Sequence, residues 1–92
     1  MDRARLDLVL QQTSTIGLIG EYTRLTRYGE RWNGACPLHR DQHHSLFVDE
    51  ARGLYFCFGC EAKGNAVGFL QQIEGLSLDE AVARLERRMT EW

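Results

Sequence analysis

Cys36-Pro37-Leu38-His39 and Cys57-Phe58-Gly59-Cys60 each place two metal-binding side chains three positions apart, and 17 residues separate the two segments. A ligand-x-x-ligand turn lets two donors close on one ion without strain, and two such turns supply the four donors of a tetrahedral Zn²⁺. The sequence therefore predicts one structural Cys₃His zinc site made of Cys36, His39, Cys57 and Cys60, closed, with no open coordination position. The site uses all three cysteines of the chain, so no thiol is left for a disulfide. His43 and His44 are read as surface or loop residues, because a site using His43 would open the first turn to a six-residue gap.

With 92 residues, 43% of them hydrophobic, the chain is expected to form one domain, 1–92, with a small core. Domains of this size often need a staple, and here the metal is the candidate, so folding of at least the middle of the chain should depend on it. Reduced thiolates and a charged N-terminus without a signal-like apolar run predict a cytoplasmic protein. No stretch is long enough to span a membrane.

The formal charge of −2 becomes −3 with three thiolates and one Zn²⁺, so any anion-binding surface has to be local. Residues 22–64 hold six basic and five acidic groups, while the stretch from Glu74 onward holds three and five. This imbalance places the expected anion-binding face near the metal.

Leu6, Val9 and Leu10 share one face of a short opening helix, and Thr15 is a candidate cap for a turn carrying Ile16 and Ile19. Alternation over Tyr22–Tyr28 predicts a strand, which Gly29-Glu30 interrupts and Arg31–Ala35 resumes, delivering Cys36. Ser45–Asp49 and Leu54–Cys57 form a second hairpin around Glu50-Ala51-Arg52-Gly53, whose glycine suits a positive φ. Asn65 caps a helix with Ala66, Phe69, Leu70 and Ile73 on one face, ending at Gly75. Ser77 and Glu80 form a capping box for a last helix lined by Leu78, Ala81, Val82, Leu85 and Met89. The predicted fold is α+β, a small antiparallel zinc-ribbon sheet flanked by short helices.

These residues carry a family resemblance. The run Gly34-Ala35-Cys36-Pro37-Leu38-His39, the spacer, and Cys57-Phe58-Gly59-Cys60 followed by Gly64-Asn65 and an apolar helix resemble the N-terminal zinc-binding domain of bacterial DnaG-type DNA primases and their plasmid and phage relatives. Ile19-Gly20-Glu21-Tyr22, Leu25, Gly29 and Gly34 extend the likeness upstream. The chain departs from the family pattern at His43-His44-Ser45-Leu46, where Thr-Pro-Ser-Phe is common, and at Glu61, where glycine is usual. The resemblance implies a module that helps to select a start site on single-stranded template DNA during replication and steadies the initiating nucleotides. A separate polymerase domain, acting in cis or in trans, would make the RNA primer. No cluster of carboxylates with a basic nucleotide site accompanies the zinc ligands, so the 92 residues are expected to be non-catalytic alone.

Single strands are held by cationic grooves and aromatic faces. The candidates here are Arg24, Arg27, Arg31, Arg40, Arg52 and Lys63, with Phe58 exposed inside its knuckle. Trp32 and Tyr55 are read as core, and Arg84, Arg87 and Arg88 as serving a helix end. Two other classes compete. A stand-alone ribbon that binds another protein would leave Leu85 and Met89 exposed on its last helix, and a thiol redox switch would need an accessible cysteine, which metal-bound thiolates backed by a histidine are not expected to offer.

Overall fold

Two consecutive hairpins and one short added strand build the centre of the molecule. The structure, a computed structural model, describes residues 1–90; Glu91 and Trp92, the end of the expected domain, lie outside the described residues. β1 (Leu25–Tyr28) and β2 (Arg31–Gly34) turn at Gly29-Glu30, and β3 (Leu46–Asp49) and β4 (Leu54–Cys57) turn at residues 50–53, where Gly53 takes φ +66° as its position requires. β5 (Lys63–Asn65) then pairs with β4, giving an antiparallel sheet of order β1-β2-β3-β4-β5. This fifth strand is not legible as a strand in the sequence, because Lys-Gly-Asn has no strand propensity and only its pairing with β4 makes it extended.

Four helices cover one face of the sheet. α1 (Arg3–Gln12) and α2 (Thr15–Ile19) precede it, and α3 (Ala66–Glu74) and α4 (Leu78–Thr90) follow. The cap of α2 is Ser14, whose hydroxyl accepts from Gly17 N–H; Thr15, the expected cap, is the first helical residue and is buried. The strand expected from Tyr22 begins only at Leu25. Tyr22 and Thr23 instead close the end of α2, their amides donating to the Ile19 carbonyl, and the Tyr22 ring packs edge-on to Phe69. The two later helices have the predicted ends. Asn65 Oδ1 accepts from Gly68 N–H, α3 stops at Gly75, and Ser77 and Glu80 exchange both bonds of the capping box at 2.9 and 3.2 Å.

The core is the apolar stripe of these helices laid on alternate strand residues. Val9, Leu18, Ile19, Ala66, Phe69, Leu70, Ala81, Val82 and Leu85 meet Leu46, Val48 and Tyr55 of the sheet. Phe69, fully buried at its centre, makes edge contacts with Tyr22 and Tyr55 at 5.6 and 5.4 Å. Arg5 of α1 forks onto Glu86 of α4 at 2.6 and 2.8 Å, Arg84 pairs with Glu74, and Arg88 binds Glu21. Arg84 and Arg88 thus tie α4 to the body through Glu74 of α3 and Glu21 after α2, a role different from the expected service to their own helix end. Among the described residues no helix is long and apolar enough to cross a membrane.

Phe69→Ala is expected to cost about 3–5 kcal/mol, comparable with the whole stability of a domain this size. Urea unfolding of the zinc-loaded protein followed by circular dichroism checks it.

Candidate metal centre

Both ligand pairs leave the same end of the sheet. β2 runs into Cys36 two residues after its last paired position, Gly34, and β4 ends on Cys57; Gly34 and Cys57 are both paired with Leu46 of the strand between them. Two knuckles that start from strands flanking one shared neighbour have to face each other. The ligand atoms of Cys36, His39, Cys57 and Cys60 lie within 4.8 Å of one another. Cys36 Sγ is 4.0 Å from Cys60 Sγ, and His39 Nε2 is 3.2 Å from Cys57 Sγ. A zinc–sulfur bond of about 2.3 Å implies tetrahedral edges of about 3.8 Å, so one ion can bond all four with small shifts. Soft donors in a closed set of four fit zinc.

Local hydrogen bonds prepare the donors. His39 Nδ1 is 3.1 Å from the Arg40 carbonyl; a carbonyl can only accept, so Nδ1 carries the proton and Nε2 is free for a metal. The Leu38 amide points at the Cys36 sulfur, and the Gly59 and Cys60 amides point at that of Cys57. In the metal-free protein, burial pushes the Cys36 thiol up to about 12. Burial acts the same way on Cys57, but the Cys60 amide, the His39 ring and the Gly59 amide together bring it down to about 7. Gly59 is needed for close approach: a Cβ there would lie 2.7 Å from His39 Cε1 and 2.8 Å from Nε2. Glu61, in the place where the resembled family has glycine, adopts φ +64°, a left-handed turn that closes the second knuckle through Glu61 N–H to the Cys57 carbonyl at 2.8 Å.

Asp41 is a centre residue that the sequence reading passed over. Its carboxylate accepts from the amides of Cys36, His43 and Ser45 and from the Ser45 hydroxyl. These bonds, led by that from Cys36, hold it well below the usual carboxylate range. His43 and His44 are exposed and lie outside the ligand group, and Cys60, unlike its two partners, is exposed, so the expectation that no cysteine is accessible fails at this last ligand, which ends a knuckle beyond the paired strand.

The basic candidates do not gather around the metal. Arg27, Arg31 and Arg52 lie at the hairpin-turn end of the sheet and the knuckles at the opposite end, because both turns fall at 29–30 and 50–53 while both ligand pairs follow the far ends of the strands. Arg24 is exposed just before β1, and Arg27 donates to the Gly29 carbonyl. Arg52 pairs with Asp49 at 3.7 Å. Arg40 is exposed in the loop after His39.

Arg31 and Lys63 belong to the sheet face that the helices leave open. Strand alternation puts Arg31, Phe47, Phe56 and Lys63 on this face, and with Phe58 they line a groove of about 420 Å³. The Phe58 ring is 67% exposed and meets Phe56 and Phe47 edge-on at 4.7 and 5.5 Å. Tyr28, 66% exposed, pairs with Arg31 across the first hairpin. Phe47, Phe56 and Tyr28 were missed, although the runs Leu46-Phe47-Val48 and Tyr55-Phe56-Cys57 carry the signal. A sheet with one solvated face should alternate apolar and polar residues, and these two strands are apolar on both faces. Trp32 and Tyr55 face the helices and belong to the core or pack against it, as read.

The model of the CHC2 zinc finger family matches residues 1–91. The chain is 36% identical over 86 residues to the DNA primase of Thermotoga maritima, covering 94% of this chain and 15% of that protein. It is 46% identical over 72 residues to the DNA primase of Deinococcus radiodurans, covering 77% and 13%. The fold is similar to the crystal structure of the Aquifex aeolicus primase comprising zinc-binding and RNA polymerase domains, with TM-score 0.85 and 30% identity over 91% of this chain and 21% of that one. The chain thus spans about a seventh of the length of these curated relatives.

Gly59→Ala, which drives a methyl group into the His39 ring, is expected to weaken zinc binding about 10-fold or more, read by competition with a chromophoric chelator. Metal uptake must displace the Cys36 proton at neutral pH, and below about pH 7 the Cys57 proton as well. Zinc affinity should therefore rise with pH, about tenfold per unit for each proton displaced. Calorimetry in buffers of different ionisation enthalpy counts those protons.

Proposed function

The chain belongs to the CHC2 zinc finger family, the zinc ribbons of DnaG-type primases, and on that premise we propose that it is a non-catalytic module gripping single-stranded template DNA for a primase polymerase domain. The partner acts in cis or in trans, and the module contributes to choosing where an RNA primer starts. One structural Zn²⁺ on Cys36, His39, Cys57 and Cys60 fixes the two hairpins against each other. When bound, the ion supplies cross-linking and charge, and carries no reaction.

The observation that carries this reading is the open sheet face. Phe47, Phe56 and Phe58 form an aromatic platform with Arg31 on one side and Lys63 on the other, the combination that lets bases stack while phosphates meet cations. Phe58, placed by the second knuckle, is its most exposed ring, so the metal and the platform are parts of one device. The protein-interaction reading needs Leu85 and Met89 on the surface; Leu85 is 2% exposed and Met89 packs against the core, so the apolar face of α4 is spent inside the domain.

Binding to labelled single-stranded oligonucleotides, followed by anisotropy, should weaken steeply with salt and show a sequence preference. Phe58→Ala is expected to cost about 1–3 kcal/mol of binding. Arg31→Glu and Lys63→Glu should lower affinity and flatten the salt dependence, Arg40→Glu should add to this from the metal end, and Arg52→Glu should matter less. Unchanged binding in a folded Arg31→Glu, Phe58→Ala, Lys63→Glu triple variant would overturn the assignment of this face.

A further inference from the structure

The loop between the first knuckle and β3 has to return the chain from His39 to Leu46 without regular structure, and the Asp41 carboxylate lies at its centre. Oδ2 accepts from Cys36 N–H at 2.9 Å and from Ser45 N–H at 2.7 Å. Oδ1 accepts from His43 N–H at 3.0 Å and from the Ser45 hydroxyl at 3.2 Å. One carboxylate offers about four lone-pair positions, and all are in use. The Ser45 carbonyl in turn accepts from Phe58 N–H at 3.0 Å, inside the second knuckle. A hydrogen-bonded path therefore runs from the backbone of Cys36 through Asp41 and Ser45 to the backbone of the residue following Cys57.

We propose that Asp41 is a positioning residue of the metal centre, a carboxylate clamp that holds the two knuckles at bonding distance and thereby slows metal release. This rests on reading Cys36, His39, Cys57 and Cys60 as one zinc site. The physical reason is the relation of the two knuckles to the sheet. Cys57 belongs to a paired strand, so its backbone is fixed. Cys36 lies two residues beyond the last paired position of β2, and its amide is held by a side chain. Without the Asp41 bond, the Cys36 amide and the loop through Ser45 lose their common anchor, and the first knuckle can swing away from the second. The arrangement at His44, which holds φ +52° while its carbonyl accepts from the Asn33 side-chain Nδ2, shows that the same loop is tied down a second time from β2. Asn33 ties His44 and Leu46 to β2, and Asp41 ties the same loop to Cys36.

The test uses the zinc-loaded full chain, mixing wild type, Asp41→Asn, Asp41→Ala and, as a destabilised control remote from the metal, Ser77→Ala with excess chromophoric chelator. Release from Asp41→Ala is expected to be about 10- to 100-fold faster than from wild type. Asp41→Asn, which keeps one acceptor oxygen, should fall between them and carries the test if Asp41→Ala does not fold. Ser77→Ala should release zinc at the wild-type rate. Cobalt-substituted protein supplies a readout that loss of general stability does not move: the ligand-field bands of Asp41→Asn should shift or broaden, and those of Ser77→Ala should not. Release from both Asp41 variants within twofold of wild type, or no faster than from Ser77→Ala, overturns the proposal. A wild-type chain that takes up no zinc overturns the metal reading and this inference with it.

Discussion

The closeness of two knuckles at one end of the sheet is the constraint on which the rest depends. A short antiparallel sheet with helices on one side has little apolar area to bury, and its turns and edges contribute little to holding it. In this chain the strands β2 and β4 are separated by β3, share Leu46 as a pairing partner, and end in ligands. Register therefore decides whether four donors meet. A slip of one position would turn every side chain of a strand to the other face and carry Cys57 away from His39. The same register that buries Leu46, Val48 and Tyr55 under the helices aligns the sulfurs, so core and metal centre select the same pairing.

Local signals made much of this readable. Asn65 and Gly75 bound α3, and Ser77 with Glu80 starts α4, because caps are chemistry written within four residues. The second hairpin was readable for the same reason, its β-favourable runs flanking a turn with glycine at the position of positive φ. The departures share a cause, since each depends on a partner distant in sequence. β5 is extended because β4 is beside it, and Tyr22 leaves the expected strand because Phe69, 47 positions later, offers its ring an edge. Ser14 caps α2 where Thr15 was expected because Thr15 is buried.

The candidate site divides in the same way. Ligand spacing in sequence reflects chelate geometry, so Cys36, His39, Cys57 and Cys60 could be named as a set. Surface charge has no such local rule, and six basic residues that look like one population in the sequence are distributed between two ends and an edge of the sheet. Phe58 could be singled out because a knuckle tip projects outward, whereas Phe47 and Phe56 become a surface only once strand pairing assigns them the face opposite the helices. Asp41 was invisible for a related reason: an acid in a polar loop reads as solvated charge until its four donors are seen around it.

The metal centre is also lopsided. Cys36 and Cys57 are buried while Cys60 is exposed. Ligand exchange at a four-coordinate ion proceeds through an incoming group that bonds before an old one leaves, and here such a group meets the exposed Cys60 and the half-buried His39 before the two buried sulfurs. Chelators, competing metal ions and oxidants would meet the ion from the Cys60 and His39 side, so the order in which the donors let go is written into their burial.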